Sequence, residues 1–122
     1  RKTAAIGHKN YEFYADIGIN KILFGVTDPM ILREFVHAQL GEILQYDAAY
    51  KTDYTKILYE YLLCDGSVMA VADNYGLHRN TVNSKIKAIK SVFNMELTAT
   101  KKTELMLAFT IKNILNKKNG GH

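Results

Sequence analysis

The chain has 122 residues, 48% hydrophobic and 23% charged, with a net charge of +4; this suffices for one modest domain with its own core, is too short for two large ones, and argues against general disorder. No stretch approaches the twenty apolar residues of a membrane span, nothing at the start reads as a signal peptide, and the single cysteine, Cys64, excludes an internal disulfide and a cysteine-based metal cluster. The charge is uneven: residues 1–50 carry five basic and six acidic groups, residues 51–122 eleven and six, so a partner attracted by positive charge belongs with the second half.

In chain order, residues 1–10 are polar without a period and read as a fragment edge. Residues 11–16 alternate aromatic and polar groups (Tyr11 and Phe13 against Glu12 and Tyr14), a short strand pattern without a partner. Residues 17–24, with Ile19, Ile22, Leu23 and Phe24, begin a short helix stopped by Gly25. Asp28 then offers an N-cap and Pro29 sits at the first helical position, where its missing amide hydrogen does no harm. The apolar positions Ile31, Leu32, Phe35, Val36 and Leu40 give a helix over 29–40, with Gly41 placed to end it. A further apolar cluster, Ile43, Leu44 and Tyr46, ends near Asp47, and the polar, small stretch 47–52 predicts a hinge and a domain boundary. Thr52 or Asp53 can cap a helix running to about Cys64, with Ile57, Leu58, Tyr61 and Leu62 inward. Cys64 reads as a small buried hydrophobe rather than a reactive thiol.

Asp65-Gly66 predicts a turn and Ser67 the next N-cap. Between Ser67 and Lys90 two short helical patterns are broken by Gly76, which can take the left-handed conformation that ends the first of them. Ala72 is small enough for the two helices to approach closely, and Val82 points back into the angle between them. This is the spacing of a helix-turn-helix, whose second helix is free to lie in a DNA major groove. At 100° per residue Val82, Ile86, Ile89 and Phe93 form one apolar stripe, and Asn80, Asn83, Ser84, Lys87 and Ser91 the opposite face. From residue 79 to 102 there are six basic side chains and one acid, Glu96, whereas an ordinary solvated helix mixes both signs. After a connector over 95–100, an amphipathic helix over 101–116 offers Leu105, Leu107, Phe109, Ile111, Ile114 and Leu115. Gly120-Gly121-His122 reads as a linker and tag remnant.

Residues 72–86, above all Leu77-His78-Arg79-Asn80-Thr81-Val82, resemble the C-terminal helix-turn-helix of the PucR/CdaR family of bacterial transcriptional regulators, which includes purine-catabolism and sugar-diacid regulators. Ile17-Gly18-Ile19 and Leu40-Gly41-Glu42-Ile43-Leu44-Gln45-Tyr46-Asp47 resemble the segment that links this family's central, degenerate GGDEF-like domain to its DNA-binding end. The likeness spans residues 11–115. It implies an all-α fold, with a helical linker region over 1–50 (the tail of a GGDEF-like domain) and a helix-turn-helix DNA-binding domain over 51–118; residues 119–122 read separately as a tag remnant. It also implies a cytoplasmic, nucleoid-associated regulator whose effector ligand is bound by an N-terminal region missing from this chain. After the His-Arg-Asn-Thr core the family commonly continues with Arg, an aromatic and Arg, where this chain has Asn83, Ser84 and Lys85. The operator sequence therefore does not carry over.

Independently of any family, Arg79 can donate a bidentate pair to guanine, and Asn80 or Asn83 can pair with adenine; with Ser84 these are the candidate base readers. Thr81, Lys85, Lys87, Lys90 and the amides at the helix start are candidate phosphate contacts. His78, at the helix entrance, either touches a phosphate or caps the turn. Double-stranded DNA is the expected partner, bound by a homodimer across two half-sites. No catalytic, cofactor or metal site is expected: His8, His37, His78 and His122 lack ligand spacing, no phosphate loop or serine elbow occurs, and Glu34 and His37 read as a surface pair. Two alternatives use the same hairpin: the DNA-targeting module of a recombinase or transposase, and a protein-interaction module whose basic helix meets an acidic partner.

Overall fold

The structure, a computed structural model, describes residues 28–118 together with 22, 23 and 25. The expectations for residues 1–16, for most of the helix over 17–24, and for 119–122 lie outside the described residues. Among the described residues the domain is built of the helices α1 (Pro29–Tyr50), α2 (Tyr54–Leu63), α3 (Val68–Tyr75), α4 (Arg79–Val92) and α5 (Ala99–Lys118). No strand occurs among the described residues, and the all-α expectation holds.

The helix expected to stop at Gly41 does not stop there. It starts where the sequence placed it, with the Asp28 carboxylate accepting from the Met30 amide at 3.0 Å, but runs through Gly41 to Tyr50. A glycine inside a helix costs roughly 0.5–1 kcal/mol relative to alanine, whereas burying one aliphatic side chain contributes roughly 1.5–3 kcal/mol. Leu40 and Ile43, on either side of Gly41, are 0% and 2% exposed, so burial outweighs the local signal. The actual stop is Lys51, in the left-handed conformation at φ 55°. Residues 47–50, read from the sequence as the start of a hinge, are the last turn of α1.

Asp47 is the joint between α1 and α2. Its carboxylate accepts from the backbone amides of Tyr54 (3.0 Å) and Thr55 (2.8 Å) and from the Thr55 hydroxyl (2.6 Å), and also from the Thr52 hydroxyl. It therefore satisfies two of the orphan donors at the start of α2 from outside that helix. Asp53, which stands at the N-cap position, makes no side-chain capping bond, so neither Thr52 nor Asp53 is the side-chain cap that the sequence led us to expect.

A single apolar cluster draws on every helix: Leu40 and Ile43 from α1, Ile57, Leu58 and Leu62 from α2, Val71 and Ala72 from α3, Val82, Ile86 and Ile89 from α4, and Leu105, Ala108 and Phe109 from α5. Helix α2 lies at its centre and packs against each of the other four, while α1 packs chiefly along α5. At the end of α1, Tyr46 stacks on Tyr54 at 5.6 Å and meets Phe93, just past α4, edge-on at 5.3 Å. The first half of the described chain thus shares its core with the hairpin.

Partial burial opposes the charge on Asp47, but the bonds from Thr52, Thr55 and Tyr54 outweigh it and hold its carboxyl below the usual aspartate value. A lowered folded pKa stabilises the fold fully above the ordinary range near 4 and loses that contribution as the pH falls through the lowered value. Asp47→Ala should therefore cost on the order of 1–2 kcal/mol in denaturant melts at neutral pH, and the gap to the unsubstituted protein should narrow below about pH 4. Equal stability of the two proteins at pH 7 would contradict this role.

Candidate nucleic-acid interface

The hairpin α3–turn–α4 is built by local rules. Asp65 and Gly66 turn the chain at φ 53° and 79°, and the Ser67 hydroxyl caps α3 by accepting from the Ala70 amide at 3.1 Å. Gly76, at φ 65°, ends α3 in the left-handed region, which lets the Leu77 amide donate back to the Ala72 carbonyl at 2.9 Å. Ala72, 6% exposed, belongs to the same core cluster as Val71 and Val82, both at 0%.

His78 occupies the N-cap of α4, its Nδ1 accepting from the Asn80 amide at 3.1 Å. An accepting Nδ1 belongs to the neutral ring with its proton on Nε2. One nitrogen thus caps the helix and leaves the Nε2–H available as a donor, so the two roles considered for His78 are chemically compatible.

The apolar stripe of α4 faces inward as expected: Val82, Ile86 and Ile89 are buried and Phe93 is half-buried. Arg79, Asn80, Thr81, Asn83, Ser84, Lys87, Lys90 and Ser91 are all exposed. Helix α4 contains no acidic residue, and Lys90, in its last turn, complements the negative end of the helix dipole. Beyond Phe93, Asn94 adopts φ 48° and the Met95 amide returns to the Lys90 carbonyl at 2.8 Å; this ends α4 before the backbone turns into α5.

Lys85 differs from the other cations of α4. It is half-buried on the flank facing α2, with its Nζ 2.8 Å from the Asp53 carboxylate. The structure therefore brings eight of the nine candidate contacts to open surface and ties the ninth to an acid that the sequence reading treated only as a cap.

Behind the hairpin, α2 and α3 are joined by a polar cluster. Glu60, 4% exposed, accepts from the Asn74 amide group and from the Cys64 thiol. Burial and the neighbouring Glu60 charge push the Cys64 thiol up to about 11, so at neutral pH it stays protonated and a poor nucleophile. Cys64 is half-buried and hydrogen-bonded, not the purely apolar filler expected. Glu34 and His37 both lie exposed on α1, and among the described residues no group of three or more His, Cys, Asp or Glu side chains could hold a metal ion. No helix of the described residues is long and apolar enough to cross a membrane.

Residues 54–111 match the family model described as the PucR C-terminal helix-turn-helix domain. Over this stretch, just under half of the chain, the sequence is similar to the helix-turn-helix domain of the PucR family of transcriptional regulators. The match runs from the start of α2 to Ile111 in α5. It does not reach the stretch 40–47 that resembles the family's linking segment. No curated protein and no solved structure matches the chain.

Ala72 is buried in the cluster that α3 and α4 share. Ala72→Leu should overpack it and lower stability by roughly 1–3 kcal/mol. A thermal melt unmoved by that substitution would contradict the packing described.

Proposed function

We propose that this PucR-like domain binds duplex DNA sequence-specifically, with α4 lying in the major groove. The observation that carries the proposal is the division of α4 into a wholly buried stripe and an exposed, acid-free face bearing Asn80, Asn83, Ser84 and Lys87. Arg79 and Asn80, in the first turn, stand at the end that enters the groove; with Asn83 and Ser84 they read base edges, Arg79 by a bidentate pair to guanine and the asparagines by pairs to adenine. Thr81, the His78 Nε2–H, Lys87 and Lys90 contact phosphates and set the register. Two copies on two half-sites about one helical turn apart complete the complex.

The roles predict two kinds of variant. Arg79→Ala or Asn80→Ala should cost roughly 1–3 kcal/mol on the preferred site and flatten discrimination at one or two base positions, with less change on random DNA. Lys87→Ala or Lys90→Ala should weaken all sequences similarly and reduce the slope of log affinity against log salt by about 0.9. Binding isotherms across a salt series, on a site enriched from a random pool and on random duplex, separate the two. Equal weakening of both duplexes by Arg79→Ala, or an unchanged salt slope for Lys87→Ala, would overturn the assignment.

A further inference from the structure

Asp53 stands at the N-cap of α2, a position where aspartate ordinarily accepts from the first helical amides. Here Asp47 has taken those amides, and the Asp53 carboxylate instead accepts from Lys85 Nζ at 2.8 Å. The pair links the start of α2 to the middle of α4. Their side chains are 45% and 30% exposed, and a pair this wet contributes little to stability. Its consequence lies in its charge.

Helix α4 carries no acid of its own; Asp53 is an acid brought against it by another element. Lys85 is about 120° around the helix from the centre of the outer face, on a flank that lies toward a phosphate ridge when α4 fills the groove. Building on the DNA-binding proposal above, we infer that Asp53 is a specificity-determining residue: it neutralises Lys85, keeps that cation off the phosphate backbone, and so holds down sequence-independent affinity. On a preferred site the base contacts fix the register of α4. On random DNA the domain is free to shift until a released cation meets a phosphate, so release of Lys85 strengthens random binding more than specific binding.

The test uses the full chain, with affinity for random-sequence duplex and for a site enriched from a random pool measured across a salt series. Asp53→Asn should steepen the salt slope on random duplex by about 0.9, raise random-duplex affinity roughly fivefold at about 0.15 M salt, and narrow the preference for the enriched site. Asp53→Ser should behave alike while keeping a residue suited to the N-cap, and circular dichroism melts confirm that both variants fold. The double variant Asp53→Asn with Lys85→Gln should return to the original slope. A slope unchanged in Asp53→Asn and Asp53→Ser overturns the inference, and so does a double variant that stays steep, since the gain would then come from loss of the acid and not from Lys85. Failure of the unsubstituted chain to bind either duplex would instead overturn the DNA-binding proposal on which the inference rests.

Discussion

The face that α4 presents to solvent is fixed by the face that it buries. Val82, Ile86 and Ile89 are together almost wholly removed from water, and at roughly 1.5–3 kcal/mol for each such side chain their burial rivals the 5–15 kcal/mol by which a whole domain is ordinarily stable. Turning α4 by even one residue's 100° would bring Asn83 or Lys87 toward the core and expose part of that stripe. The polar side chains of the outer face thus need no interaction of their own to be held outward. Their direction comes from the packing of α4 on α2 and α3, and its stability from the same cluster that closes the rest of the domain.

The second determinant is the joint at Asp47. One carboxylate meets two amides and two hydroxyls at the start of α2, so the end of α1 and the start of the central helix move as one piece. The aromatic contact of Tyr46 with Phe93 adds the far end of α4 to the same piece. Because Asp47 does the capping, Asp53 is released to reach across to Lys85. A detail of helix capping in one place thereby bears on which cation of α4 is paired in another.

The hairpin was legible in the sequence because local chemistry specifies it. Ser67 as a cap, Gly76 at a positive φ, and the 3.6-residue recurrence of Val82, Ile86 and Ile89 each state their role within one or two turns of chain. The length of α1 was not legible. Gly41 carries a stop signal that only tertiary burial of Leu40 and Ile43 overrides, and nothing within a turn of it reports that burial. The partners of Asp47 and Lys85 were hidden for the same reason. Asp47 serves amides seven and eight residues away in another helix, and Asp53 and Lys85 are 32 residues apart, distances at which no periodicity speaks. Of the candidate site, the exposed face of α4 followed from its period alone, while the special position of Lys85 required the packing of α2 against α4. The polar link from Glu60 to Cys64 and Asn74 was concealed by the ordinary helical position of Cys64 after Leu62 and Leu63.

The central claim is that the outer face of α4 meets the DNA. Amide chemical shifts of the isotope-labelled chain, followed during titration with a duplex carrying an enriched site, test it most directly. The account predicts that the strongest perturbations fall on residues 78–84 and on Lys87 and Lys90, with those of the buried stripe at Ile86 and Ile89 weaker than their exposed neighbours. Saturating binding that left residues 78–90 unmoved while shifting the surface of α1 or α5 would contradict it.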